Sequence, residues 1–109
     1  MTDRIFYKLG RINYKRGAID IGIRYYLIAV DYGSVDAMVD LTEIYYNNNQ
    51  IEQAEKFIDS IIASNNLEAI NKIVKYCKSL NKMHNLYMKA IENNEDKAMW
   101  YSLLLLNKV

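Results

Sequence analysis

Proline is absent from the 109 residues, and cysteine, histidine and tryptophan occur once each. Helix interiors exclude proline, whereas an all-β domain of this length needs many turns and commonly uses it; the composition therefore favours long helices. The single cysteine, Cys77, cannot close an internal disulfide, and oxidising secretion is not indicated. The single histidine, His84, stands seven residues from Cys77 with no further thiol or imidazole nearby. A structural zinc site takes four ligands, so no metal and no cofactor is expected. Neither charge dominates: 14 Lys and Arg stand against 13 Asp and Glu, a formal net charge of +1. A dedicated nucleic-acid binder carries a basic surplus toward phosphates, so nucleic acid is not an expected partner. No apolar run approaches membrane-spanning length; Leu103 to Leu106, near the end, is far too short. Residues 1–16 carry Asp3, Arg4, Lys8, Arg11, Lys15 and Arg16 and no apolar stretch, so no secretory leader is expected and the location is read as cytoplasmic. The glycine-rich phosphate loops G-x-x-x-x-G-K-S/T and G-x-G-x-x-G are both missing.

What the chain does contain is a repeat. Half of the residues are hydrophobic and a quarter charged, ordinary for one folded domain. Shifting the sequence by 32 lays Ile5 on Ala37 and Ala37 on Ala69, Leu9 on Leu41 and Leu41 on Ile73, Tyr14 on Tyr46, and Tyr25-Tyr26 on Phe57-Ile58. Tyr26-Leu27-Ile28-Ala29 then returns as Tyr87-Met88-Lys89-Ala90, so the third unit is about three residues shorter. Within units the apolar steps are three and four, as in Ile5, Leu9, Ile12 and in Ile19, Ile23, Tyr26, Val30, which places each set on one helix stripe. Residues that tolerate a left-handed backbone punctuate the chain at Gly17, Gly33, Asn47–Asn49, Asn65-Asn66, Asn81 and Asn93-Asn94. The predicted architecture is all-α, a short solenoid of about seven antiparallel helices at 3–16, 18–32, 35–48, 50–64, 67–80, 82–93 and 95–108. It forms one domain, 1–109, with units at about 3–34, 35–66 and 67–94 and a terminal helix at 95–109.

Helices this short are marginal alone, so each must bury a face against a neighbour. Gly10, Gly22, Ala29, Ala54 and Ala90 are the small residues that allow close approach, and Tyr26, Tyr45, Phe57 and Tyr87 fill the gaps between them. Cys77 falls one unit after Tyr45 and reads as a small buried hydrophobe. The carboxylate pairs Asp36 with Asp40, Glu52 with Glu55, and Glu92 with Glu95 and Asp96 read as exposed helix faces or charges complementing helix N-termini. His84 reads as a surface or turn residue. No nucleophile stands with a base, and no enzymatic activity is expected.

The run Phe6 to Gly17, with its Leu9-Gly10 pair and turn Gly17, followed by Gly22, Tyr25, Tyr26 and Ala29, resembles a tetratricopeptide repeat. The second unit is similar through Ala37, Leu41, Tyr45, Ala54, Phe57 and Ile58. Tyr26, Ala29, Gly33 and Ala37, and again Tyr87, Ala90, Asn94 and Ala98, resemble the junction of Sel1-like repeats. The pattern departs at Thr42 and Val74, where a small glycine is expected, and at Gly22 and Ile61, which replace alanines. The resemblance implies a right-handed superhelix whose first helices line a concave groove for a peptide or protein surface. Carried over by position, that groove comprises Arg4, Tyr7, Arg11, Tyr14 and Lys15, then Asp36, Val39, Glu43, Tyr46 and Asn47, then Glu68, Asn71, Lys75 and Lys78, with Trp100 from the last helix.

Tyr7, Arg11 and Tyr14 also share a helix face by spacing alone, and Tyr and Arg are frequent interface anchors. Basic side chains in the first and third units suggest an acidic or carboxylate-ended protein ligand. The alternative is a structural subunit. Trp100, Leu103, Leu104 and Leu106 make the C-terminal helix apolar where a solenoid needs a polar cap, which suggests a homo-oligomer interface. Finally, 14 Ile, 12 Asn, 10 Lys and 10 Tyr are residue types of AT-rich codons, as in the genomes of certain bacteria, protists and large DNA viruses. For a viral product, virion or host cytoplasm is the matching location.

Overall fold

The computed structural model describes residues 2–77 and residue 88. The chain is all-helical, and no strand occurs among the described residues. Five α-helices are seen there: α1 (Thr2–Lys15), α2 (Ile19–Asp31), α3 (Val35–Asn47), α4 (Ile51–Ala63) and α5 (Leu67–Ile73). The first four match the helices expected from periodicity to within about a residue at either end. The fifth is shorter than its expected span of 67–80: at the β-branched pair Ile73-Val74 the α-helix gives way to a 3₁₀ turn, Val74–Tyr76. β-Branched side chains crowd the preceding turn and weaken a helix. The expected helices at 82–93 and 95–108, with Lys78, Asn81, His84, Tyr87, Ala90, Trp100, Leu103, Leu104 and Leu106, lie outside the described residues. Two compact units divide the chain, Met1–Ile73 and Val74–Val109, the boundary falling inside the third sequence unit.

One termination device recurs along the first unit. Gly17, Gly33, Asn49 and Asn65 have positive φ (92°, 93°, 63° and 62°) and stand sixteen residues apart. At the first three, the amide of the left-handed residue donates to the carbonyl three residues back (Tyr14, Val30 and Tyr46), and the next amide donates five residues back (Asn13, Ala29 and Tyr45). These paired bonds satisfy carbonyls that a helix end leaves bare. The starts alternate. The Ser34 hydroxyl accepts from the Ala37 amide at 3.1 Å and the Asn66 carboxamide from the Ala69 amide at 3.0 Å, capping α3 and α5, whereas α2 and α4 begin without a side-chain cap.

α1 and α2 pack antiparallel at close range because two glycines remove the barrier. A Cβ on Gly10 would sit 2.7 Å from a ring carbon of Tyr26, and one on Gly22 would sit 2.8 Å from the backbone nitrogen of Tyr14. Tyr26 thereby lies across the α1 backbone, 3 % exposed. One unit on, the equivalent positions hold Thr42 and Ile58, both fully buried. Thr42 answers its buried hydroxyl within its own helix, donating to the Met38 carbonyl at 2.8 Å. Tyr26, Ala29, Ala37, Leu41 and Ile44 form the core between the first helices and α3, with Phe6, Tyr7, Tyr14, Ile23, Val30, Tyr45 and Phe57 around it. Tyr45 and Phe57 stack at 5.9 Å across α3 and α4. Ala54, Ile58, Ile61 and Ile62 continue the buried set along α4, and Ala69, Ile70 and Ile73 along α5.

The apolar stripe assigned to α1 from its spacing faces outward. Ile5 is 60 % and Ile12 52 % exposed, and Leu9 is half-buried. The face that packs is the aromatic one, Phe6, Tyr7, Gly10 and Tyr14, because Gly10 alone lets Tyr26 approach. Ile19 is likewise exposed, whereas Tyr26 of the same expected stripe is buried. Val39, carried to the groove by position, is also buried, and Cys77 is buried as expected.

Candidate functional site

The second face of α1 meets α3 across a cleft of about 510 Å³. Tyr7, Arg11, Tyr14 and Lys15 line it from α1, and Asp40, Glu43, Ile44 and Asn47 from α3. Tyr26, Asn48 and Lys72 complete the wall. The helical steps 7, 11, 14 and 40, 43, 47 set these side chains on single stripes, and the packing of Tyr26 on Gly10 fixes the separation of the two helices.

At the floor, the Tyr26 hydroxyl donates to Asp40 Oδ2 at 2.9 Å. The bond joins α2 to α3 and holds an acid where a helix surface turns inward. Burial raises the Asp40 pKa; the Tyr26 and Tyr7 hydroxyls and the Arg11 charge act against that rise. Burial also raises the pKa of Tyr26, with its hydrogen bond to Asp40 and the carboxylate charge adding to the effect. Tyr7 shifts upward for the same first reason, burial, followed by the Asp40 charge. The Tyr7 and Tyr26 rings meet at 5.9 Å in a tilted arrangement, and the Arg11 guanidinium lies 5.9 Å from the Tyr7 ring centre. That contact places the guanidinium beside an aromatic face at the rim of the cleft.

A second depression of about 590 Å³ shares Tyr7 and Arg11 and extends toward the N-terminus of α1 through Asp3, Arg4 and Lys8, with Ser34 and Asp36 on its far side. Of the groove residues carried over by position, Tyr7, Arg11, Tyr14, Lys15, Glu43 and Asn47 line the main cleft, and Arg4 lines the depression beside it. Tyr46, half-buried, and Asn71, exposed, line neither. Lys72 takes the place expected for Asn71, one residue earlier, and forms an exposed ion pair with Glu68 at 3.8 Å. Lys75 belongs to the second unit, with its ammonium 5.2 Å from the Tyr76 ring centre; Lys78 lies outside the described residues.

Asp40 corrects the reading of Asp36 with Asp40 as a solvated pair. Asp36 is exposed, while Asp40 is half-buried and hydrogen-bonded. The sequence signal was indirect: Asp40 follows Ala37 at three residues and precedes Leu41, so it borders the buried stripe of α3. Tyr26 was assigned to the core, as found, but its hydroxyl reaches the cleft, a dual role that spacing does not distinguish. Among the described residues no three His, Cys, Asp or Glu side chains converge to hold a metal ion, and no helix there is long and apolar enough to cross a membrane. No protein family, curated protein or solved structure matches the chain.

Proposed function

We propose that the chain is a short tetratricopeptide/Sel1-like solenoid that acts as a non-catalytic interaction module, with the cleft between α1 and α3 holding an extended segment of a protein partner. One observation carries the reading. Two helices present Tyr7, Arg11, Tyr14 and Lys15 opposite Asp40, Glu43 and Asn47 across a cleft of about 510 Å³. The spacing of sixteen residues between left-handed caps, and hence of thirty-two between like helices, supports the solenoid. The mixture of rings for apolar contact, carboxamides for backbone pairing and an arginine is the composition of a protein-binding surface. Arg11, Lys15 and Lys72 line the rim, and Asp40 is engaged by Tyr26. The rim cations favour a ligand with an acidic side chain or a terminal carboxylate, which an arginine fork binds in two-pronged fashion.

Selection from a random peptide library on the immobilised full chain tests this. Enriched peptides should carry Asp, Glu or a free C-terminus. They should bind at least tenfold more weakly to Arg11→Ala/Lys15→Ala and perturb the amide resonances of Tyr7, Tyr14 and Asp40. The proposal fails if no sequence is enriched, or if the perturbed resonances lie away from α1 and α3.

A further inference from the structure

The charges of the chain are unevenly placed. Residues 1–16 hold five cations and one acid, whereas residues 17–77 hold four cations and nine acids. Four of the five, Arg4, Lys8, Arg11 and Lys15, step by four, three and four along α1, which sets them within about 60° of one another round the helix. All four are exposed, and so is Arg16 just past the helix end. Among the described residues, no carboxylate forms an ion pair with any of these five cations. The one acid, Asp3, lies about 100° round the helix from Arg4, on the side opposite Ile5.

Beside the cations runs an apolar strip. Ile5 and Ile12 lie about 80° further round α1 and are 60 % and 52 % exposed. Lys8, Arg11, Ile12 and Lys15 together line one shallow depression of about 200 Å³, so both kinds of side chain open on the same surface. Phe6 carries the apolar strip across to α2, stacking on Tyr25 at 6.1 Å and on Tyr32 at 5.8 Å. There Ile21 and Ile28 are 49 % and 36 % exposed. Arg24 borders them, and the exposed acids Asp20 and Asp31 stand beyond it, on the side of α2 turned from Phe6.

The pairing of a cationic stripe with an adjoining apolar one selects the complement. A second copy would set like charges against each other at the margin. An acidic polymer answers the cations and leaves Ile5 and Ile12 in water. An anionic bilayer takes both: headgroups meet the ammonium and guanidinium groups, and the isoleucines pass beneath them to the acyl boundary. A cluster of Lys and Arg on an amphipathic helix is the electrostatic half of that attachment. The stems of Lys8 and Lys15 can lie along the apolar strip while their charges stay at headgroup level. A fluid surface also asks for no shaped groove. We propose that the outward face of α1 docks the chain on an anionic lipid bilayer, lying in the interface and not spanning it. The acidic excess of residues 17–77 orients the chain with α1 toward the lipid. This goes beyond the reading of the cleft, whose Tyr26, Asp40 and Glu43 take no part in it.

Cosedimentation of the full chain with vesicles tests the proposal. Binding is expected to phosphatidylcholine vesicles containing one third phosphatidylserine, and it should fall steeply with added salt. Phosphatidylcholine alone should bind at least about tenfold more weakly. Lys8→Gln/Arg16→Gln removes two cations that do not line the main cleft and should weaken binding about 25-fold, or about fivefold per cation. Ile5→Ser/Ile12→Ser should weaken it at least about tenfold. All four side chains are exposed, so the unbound variants should keep their circular dichroism and melting temperature. Lys56→Gln/Lys75→Gln makes the same change of net charge elsewhere and should alter binding less than about twofold. Failure to bind the charged vesicles, equal binding to neutral ones, or equal weakening by Lys56→Gln/Lys75→Gln would each overturn the proposal. Binding indifferent to Ile5→Ser/Ile12→Ser would do so as well. Capture of polyglutamate or RNA without vesicle binding would also overturn it, assigning the cations to an acidic polymer.

Discussion

Replacing Gly22 by alanine sets two effects of known size against each other. In a helix interior alanine is better than glycine by about 1 kcal/mol, because glycine loses more backbone freedom on folding. If propensity decided, Gly22→Ala would stabilise the chain. At Gly22, however, the added methyl would sit 2.8 Å from the Tyr14 nitrogen and 2.9 Å from its Cα. These are backbone atoms of α1, and no rotamer change moves them. The two helices must separate by about half an ångström or more, which loosens Tyr26 from its seat over Gly10 and strips dispersion contacts along the seam. Overpacking of this type costs about 1–3 kcal/mol, and the displaced core adds to it, so a net loss of about 1–3 kcal/mol is expected after the propensity gain. For a chain of this size that lowers the melting temperature by roughly 4–20 °C. Urea unfolding followed by circular dichroism at 222 nm measures it, with the change appearing in the midpoint and not in the slope. Gly17→Ala is the comparison. Nothing lies within 4 Å of its Cβ, and only the φ of 92° penalises it, so the loss should stay near 1–2 kcal/mol. A Gly22→Ala protein as stable as the parent, or more so, would refute the close-contact account of the first hairpin.

Further outcomes follow from other parts of the same framework. Ser34→Ala removes the acceptor for the Ala37 amide and should cost about 1 kcal/mol by thermal melting, most of it regained in Ser34→Asp. Leu41→Ala empties a fully buried position and should cost about 2–5 kcal/mol, measured by urea titration. Asp40 gives a pH signature. Its folded pKa is raised above the unfolded value by burial, so the native state binds more protons in the interval between the two. Stability therefore falls as pH rises from about 4 through the raised folded pKa. The opposite slope is the usual behaviour of a paired carboxylate. Asp40→Asn should flatten that segment of the stability–pH curve. Tyr26→Phe removes one hydrogen bond to the Asp40 carboxylate, should cost about 1–3 kcal/mol at neutral pH, and should steepen the same segment.

The helices were legible because their ends are written in single residues. Gly17 and Gly33 need no neighbours to signal a left-handed turn, and Asn49 and Asn65 carry the same preference more weakly. The small partners Gly10 and Gly22 were legible for a related reason, since a helix keeps glycine chiefly where something presses against it. The facing of α1 was not legible. Its sequence offers two apolar stripes, one aliphatic through Ile5, Leu9 and Ile12 and one aromatic through Phe6, Tyr7 and Tyr14, and helical spacing fits both. What decides between them is the location of Gly10 relative to Tyr26, a contact between residues sixteen apart. The cleft was legible in part. Tyr7, Arg11, Tyr14, Lys15, Glu43 and Asn47 came from position in the repeat, but Asp40 did not, because burial of an acid depends on a tyrosine hydroxyl from another helix reaching it. Lys72 in place of Asn71 is a one-residue error, which on a helix is a rotation of about 100°.

The sixteen-residue beat of the left-handed caps has a consequence for how the chain can change its length. Deleting one residue within α2 would turn everything before Gly33 by about 100° against everything after it, so Tyr26 would leave Gly10 and the core would lose its match. Cutting out sixteen would preserve each cap but send the following helix up where it formerly ran down. Only a step of thirty-two keeps caps, direction and facing together. Growth or loss of this protein by whole helical hairpins is therefore nearly free of structural conflict, while shorter insertions are confined to the short links after Gly17, Gly33, Asn49 and Asn65.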